Sequence, residues 1–173
     1  MNVDNLEIRP ATFEDALAVQ VLRKHAWQAR YVSPDTGVTK EILTTSLAKL
    51  PPSEDDLEHY RQMLDKPDNI GKNLVALLNG RIIGTVTYDT LEDDTGDIGV
   101  FVADDYNGKG VGDRLLDVLV SRSDNPLQVE IYARNPSRDF YKAHGFVEVG
   151  EESNHHFTEE AYLPVQTLRL DPR

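Results

Sequence analysis

Between residues 97 and 120 the hydrophobic positions change period once. From Asp97 to Val102 they alternate, with Ile98, Val100 and Val102 on one face and Asp97, Gly99 and Phe101 on the other, the two-residue repeat of a strand. From Val111 they recur at helical spacing: Val111, Leu115 and Leu119 lie four apart, with Leu116 and Val120 beside them. Asp104, Asp105 and Asn107 break the strand, and Gly108, Gly110 and Gly112 alternate across the change, with Lys109 between the first two. Strand, glycine-rich turn and helix N-terminus together make an anion site. The first-turn N–H groups lack partners within the helix, the macrodipole adds positive charge, and glycine lets backbone approach a phosphate without a Cβ in between. A pyrophosphate is expected on this turn.

The rest of the chain is patterned around that unit. Leu6, Ile8 and Arg9 before Pro10 predict a short first strand. Thr12 and Asp15 suit a helix start, followed by Phe13, Leu17 and Val21 four apart and then Ala26, Trp27 and Tyr31, until Ser33-Pro34-Asp35-Thr36-Gly37 stops the helix. Trp27 and Tyr31 read as a lid over a substrate or as aromatics sealing the core. A second helix is expected from Thr39 to Leu50, with Ile42, Leu43 and Leu47 inward, ended by Pro51-Pro52. Ser53 and Asp56 cap a third, from about Glu54 to Asp65. Leu74–Leu78 and Ile82–Tyr88 flank Asn79-Gly80, a strong two-residue hairpin signal. Leu127–Ala133 is a further strand, Pro136 starts a short helix, and Phe146–Val149 with Tyr162–Leu170 form a closing antiparallel pair around a polar loop.

Length and charge narrow the function classes. The 173 residues suffice for one well-buried core, so residues 1–173 are read as a single domain. With no cysteine, disulfides, thiolate metal sites and cysteine nucleophiles are excluded. No apolar run reaches membrane-spanning length and the N-terminus lacks a signal-peptide pattern, so a cytoplasmic protein is expected. A net charge of −12 argues against non-specific nucleic-acid binding. The deficit is uneven: Tyr106–Lys142 holds six Lys/Arg against five Asp/Glu, a balance of +1, which leaves −13 for the remainder. The segment assigned to an anionic ligand is the one relieved of negative charge.

The turn is not a P-loop, since no Gly-Lys-Ser/Thr follows at the required spacing, and Asp113 stands where a dinucleotide fingerprint needs its third glycine. Glu130 falls near the ribose-binding position of the latter, which keeps a dinucleotide enzyme as a remote alternative. Asn107-Gly108-Lys109-Gly110-Val111-Gly112 instead resembles the acyl-coenzyme A pyrophosphate loop of the GCN5-related N-acetyltransferase (GNAT) superfamily, Arg/Gln-x-x-Gly-x-Gly/Ala, with Asn107 in place of the charged or longer first residue. A second signature follows in LQVEIYARNPSRDFYKAHGF, where Asn135, Tyr141, Gly145 and Phe146 match, and the resemblance spans roughly Leu74 to Val149.

That resemblance implies an α/β domain with a mixed, mostly antiparallel sheet splayed between two central strands, helices on both faces, and direct acetyl transfer from acetyl-CoA, without a metal, to a small-molecule amine. It implies that main-chain N–H groups at Phe101 or Val102 polarise the thioester, that Asn107–Gly112 hold the pyrophosphate, that Asn135 orients the pantetheine arm and that Tyr141 is the general acid. Tyr141 also reads as a packing residue and Asn135 as turn chemistry. Asp97 is the first choice for a general base, with Glu130 and Tyr132 as rivals; each also fits a solvated strand position. His155 and His156, adjacent, make a poor metal pair, and His144 before Gly145 suits a helix cap. Acid clusters at Asp55-Asp56, Glu92-Asp93-Asp94 and Glu159-Glu160 predict a small cationic amine or a polyamine as acceptor. A catalytically silent acyl-CoA sensor on the same fold is the alternative, and a monomer and a homodimer both fit the sequence.

Overall fold

The computed structural model describes residues 2–46, 49–133 and 135–172. Seven strands form one sheet in the order β1-β2-β3-β4-β5-β7-β6: β1 (Glu7–Pro10), β2 (Leu74–Leu78), β3 (Arg81–Thr90), β4 (Gly96–Val102), β5 (Leu127–Tyr132), β6 (Val147–His156) and β7 (Tyr162–Leu170). Every pairing is antiparallel except β4 with β5. The β2–β3 hairpin turns at Asn79 and Gly80 with φ of 52° and 80°, the left-handed pair that matches strand twist in a two-residue turn. β4 and β5 pair only at Gly96–Leu127 and Asp97–Gln128, and beyond those positions they part. The expected splay is therefore present, and it opens the sheet at its centre.

Helices cover both faces. On one side α4 (Val111–Arg122) buries Val111, Leu115, Leu116 and Leu119 against β2, β3 and β4. Each such leucine contributes about 1.5–3 kcal/mol by leaving water. On the other side α1 (Ala16–Arg30) and α3 (Glu54–Asp65) pack Ala16, Val19, Leu57 and Tyr60 on Val75 and Leu77. Ser53 and Asp56 form the expected reciprocal cap of α3. α5 (Ser137–Ala143) follows β5. Among the described residues no helix is long and apolar enough to cross a membrane.

Three elements depart from the sequence reading. The Phe13–Leu17–Val21 stripe is not the inward face of α1: Phe13 and Leu17 are 45% and 54% exposed, and the small residues Ala16 and Val19 pack instead, which lets the helix come close to the sheet. α2 spans only Lys40–Thr45, because the Thr45 and Ser46 hydroxyls donate to the Glu41 and Ile42 carbonyls and offer the backbone an alternative to further helix. The inward position expected of Leu47 lies outside the described residues. β6 runs through the polar stretch to His156 because it is an exposed edge strand, held by its ladder to β7 with no buried face to demand an apolar repeat.

Candidate active site

The splay leaves alternate backbone groups of β4 without a neighbouring strand. The Ala103 N–H donates to the Ile83 carbonyl of β3, while the Val100 N–H turns the other way and donates to the Tyr141 hydroxyl at 3.1 Å. Because strand N–H groups alternate in direction, Val102 faces the cleft with Val100, whereas the Phe101 N–H faces β3 with that of Ala103. Of the two main-chain donors expected from sequence, Val102 reaches the cleft and Phe101 does not. Val100 joins Val102 there.

Tyr141 is held rigidly. It is 2% exposed on α5, with Phe140 and Phe146 against its ring at centroid distances of 5.1 Å and 5.4 Å. The Phe146 N–H donates to the Tyr141 carbonyl, and Gly145 at φ 93° supplies the left-handed turn that closes this helix end. Burial pushes the Tyr141 phenol well above its ordinary value, so it stays protonated. Since the oxygen accepts from Val100, its own proton is left to donate.

Two cavities meet at this hydroxyl. The larger, about 490 Å³, is lined by Val102, Asn107, Gly108, Gly110, Gly112 and Phe140. Gly108 and Gly110 have φ of 74° and 81°, and a Cβ at Gly108 would meet no atom within 4 Å, so the turn offers bare backbone beside the α4 N-terminus. The Val111 side chain is buried in the core and Lys109 is exposed outside this wall, which leaves the N–H groups as the turn's contacts. Asn107, the uncharged residue at the head of the turn, accepts a hydrogen bond from Arg30 of α1 at 3.3 Å. A guanidinium thus stands where the loop itself lacks charge. The Asn135 Oδ1 accepts from the Ser137 N–H at 3.0 Å, a turn contact, while its residue still lines the cavity.

The smaller cavity, about 350 Å³, lies on the α1 side of β4 and shares Arg30, Val100, Asn135, Ser137 and Tyr141 with the first. Its floor is Gly99, over which the Phe101 ring folds so closely that a Cβ at Gly99 would lie 2.8 Å from Phe101 Cε2. Trp27 meets Phe101 edge-on at 5.8 Å, and Tyr31 also lines the wall, so both aromatics border the cavity. Asp97 is half-buried there. Burial raises its pKa, partly offset by a 3.4 Å hydrogen bond from Gln128, and the nearby Glu130 and Asp89 charges raise it further. Glu130 borders the same space, whereas Tyr132, its phenol pushed up to about 12 by burial, packs on Tyr31 outside it.

The acetyltransferase (GNAT) family model matches residues 39–146. The chain belongs to that family. No curated protein matches it by sequence. Among solved structures it is similar to an N-acetyltransferase from Staphylococcus aureus Mu50, at 20% identity and TM-score 0.73, covering 98% of this chain and 100% of the other. It also resembles a ribosomal-protein-alanine N-acetyltransferase from Brucella melitensis, at 22% identity and TM-score 0.68, over 95% and 99% of the two chains. A GNAT superfamily phosphinothricin acetyltransferase from Sinorhizobium meliloti, solved with AcCoA, matches at 17% identity and TM-score 0.72, over 95% and 87%.

Other features of this GNAT domain fall away from the site. The Asp55-Asp56, Glu92–Asp94 and Glu159-Glu160 clusters line neither cavity, and Asp56 is paired with Lys24 at 2.9 Å. His144 bridges to α4 through Asp113 at 2.8 Å rather than serving its own helix end alone. His155 meets Phe157 edge-on at 4.8 Å, and the His156 ring lies tilted against Tyr162 at 5.5 Å. Among the described residues no group of three or more such side chains is arranged for a metal ion. Sequence reasoning missed Val100 and Arg30, and the cavity-lining Arg23 and Tyr60. The alternation around β4 held a signal for Val100 once its pairing with β3 is inferred; the others had none.

Proposed function

We propose that the protein transfers an acetyl group from acetyl-CoA directly to the primary amine of a small molecule. The observation that carries this reading is the Tyr141 hydroxyl on the Val100 N–H, placed where the cavity bordered by the glycine turn meets the cavity bordered by Asp97. Acetyl-CoA supplies an activated thioester. The N–H groups of the turn and α4, with Arg30 at Asn107, suit its pyrophosphate. The Val102 N–H, which faces the cleft while that of Val100 is held by the Tyr141 hydroxyl, suits a thioester carbonyl that gains negative charge as the amine attacks.

The chain's side chains handle the protons. Asp97, its pKa raised by burial, takes a proton from the acceptor ammonium, directly or through water, so that the amine lone pair is free. The new C–N bond forms as the C–S bond breaks, and Tyr141 gives its proton to the departing thiolate. The phenolate is restored by the proton that the amine has shed. Asp97 and Glu130 favour the ammonium end of an acceptor in this cavity, which keeps part of the cationic-amine expectation while moving its basis from the surface loops to the cavity wall.

A panel of primary amines screened for acceptor-dependent thiol release and for an acetylated product tests the reading. Equimolar thiol and acetyl-amine support it. Acetyl-CoA binding without turnover on any amine would instead fit the silent sensor.

A further inference from the structure

The smaller cavity is lined by a guanidinium that no carboxylate among the described residues contacts, the Asp56 and Asp97 charges acting on it only from further off. Arg23 of α1 lies with its Cζ 4.9 Å from the Trp27 ring centroid and 5.4 Å from that of Phe101. Its Nε is enclosed and has no hydrogen-bond partner, and its Nη1 reaches Gln20 Oε1 only at 3.5 Å. Among the described residues no carboxylate lies within 4.0 Å of it. Asp56 is engaged by Lys24, and Asp97 accepts from Gln128. Beside it on the same wall, Tyr60 is 1% exposed and its hydroxyl makes no well-aligned hydrogen bond, its neighbour Thr85 being committed to the Leu74 carbonyl.

Resting on the transferase reading, we propose that the acceptor carries a carboxylate or similar small oxyanion as well as its amine, and that Arg23 and Tyr60 receive it. Aromatic faces take up part of a guanidinium's charge, but they leave its N–H donors unanswered. Buried donors without acceptors are costly to the protein alone, and an oxyanion entering this cavity is the group that answers both. A cation is repelled from the Arg23 end of the cavity. With carboxylates Asp97 and Glu130 bordering one part of the cavity and Arg23 and Tyr60 another, the space is complementary to a zwitterion of the amino-acid type. A polyamine would place a second positive charge against Arg23.

Trp27 is the chain's single tryptophan and touches Arg23, so its emission reports binding without requiring turnover. Amino acids are titrated alongside the amines that lack only the carboxylate, and kcat and KM are measured for the same pairs. The expected result is at least tenfold tighter binding and lower KM for the carboxylate-bearing members. Arg23→Met should erase that preference while the melting shift from acetyl-CoA persists, and Arg23→Lys should restore part of it. Tyr60→Phe, which preserves packing, should weaken the preference several-fold and serves if Arg23→Met does not fold. Equal or tighter binding of the decarboxylated members, or a preference untouched in the variants, would overturn the proposal. Absent turnover with the emission preference intact would count against the transferase reading instead.

Discussion

The Tyr141 hydroxyl accepts a hydrogen bond from the Val100 N–H at 3.1 Å, across 41 residues of sequence. That bond joins α5 to the stretch of β4 that β5 leaves open on one edge, and it fixes the phenol in the cleft. Tyr141→Phe keeps the ring and removes the proton. Turnover should fall about ten- to a thousandfold, the scale of general acid catalysis, with little change in acetyl-CoA binding. Stability should drop by about 1 kcal/mol as the Val100 N–H loses its acceptor. Steady-state kinetics with a good acceptor decides it: unchanged kcat makes Tyr141 a packing residue.

Asp97 should set the acid limb of the pH profile. Burial holds its carboxyl above its ordinary value of 3.8, so it becomes protonated, and useless as a base, at a higher pH than a solvated aspartate. kcat/KM should therefore rise with pH through that raised value. Asp97→Asn should lower the rate and remove this limb. An unaltered profile in Asp97→Asn would assign the proton to water or to Glu130.

Arg30 should govern cofactor affinity from outside the loop. Arg30→Ala removes the guanidinium at Asn107, and KM for acetyl-CoA should rise about tenfold, the scale of one lost charge-assisted hydrogen bond. Adding Asn107→Arg to that variant returns the charge to the turn itself and should recover most of the loss. Failure of the second change to rescue would separate Arg30 from the phosphate.

Gly96 should be intolerant of alanine. A Cβ there would lie 2.1 Å from Tyr88 Cε2, inside a core where Tyr88 is fully buried. Gly96→Ala should lose about 1–3 kcal/mol or more from overpacking, read from chemical denaturation. A variant as stable as wild type would show that the Tyr88 ring moves freely.

The parts legible in the sequence are those written locally. Asn79-Gly80, the Gly108–Gly112 turn and the Ser53–Asp56 cap each carry their geometry within a few residues. The illegible parts depend on what lies across the fold. Phe13, Leu17 and Val21 have a sound helical period, but which stripe of α1 turns inward is decided by how close Ala16 and Val19 let it come to β2. Whether Phe101 or Val100 offers its N–H depends on the β3–β4 register, which side-chain alternation alone leaves open. Arg30 meets Asn107 over 77 residues, and nothing near Arg23 in sequence tells that rings rather than carboxylates contact its guanidinium.

The most direct measurement is the melting temperature with and without acetyl-CoA. A ligand at a hundred times its Kd stabilises the folded state by about 2.7 kcal/mol. For a chain of this size that is a rise of roughly 5–10 °C. Gly110→Leu, which puts a side chain at a φ of 81° and disorders the N–H cradle, should keep a basal transition within a few degrees of wild type and lose the rise. A wild-type protein that melts at the same temperature with millimolar acetyl-CoA as without it would contradict acetyl-CoA binding in this cleft, and with it the proposed transfer.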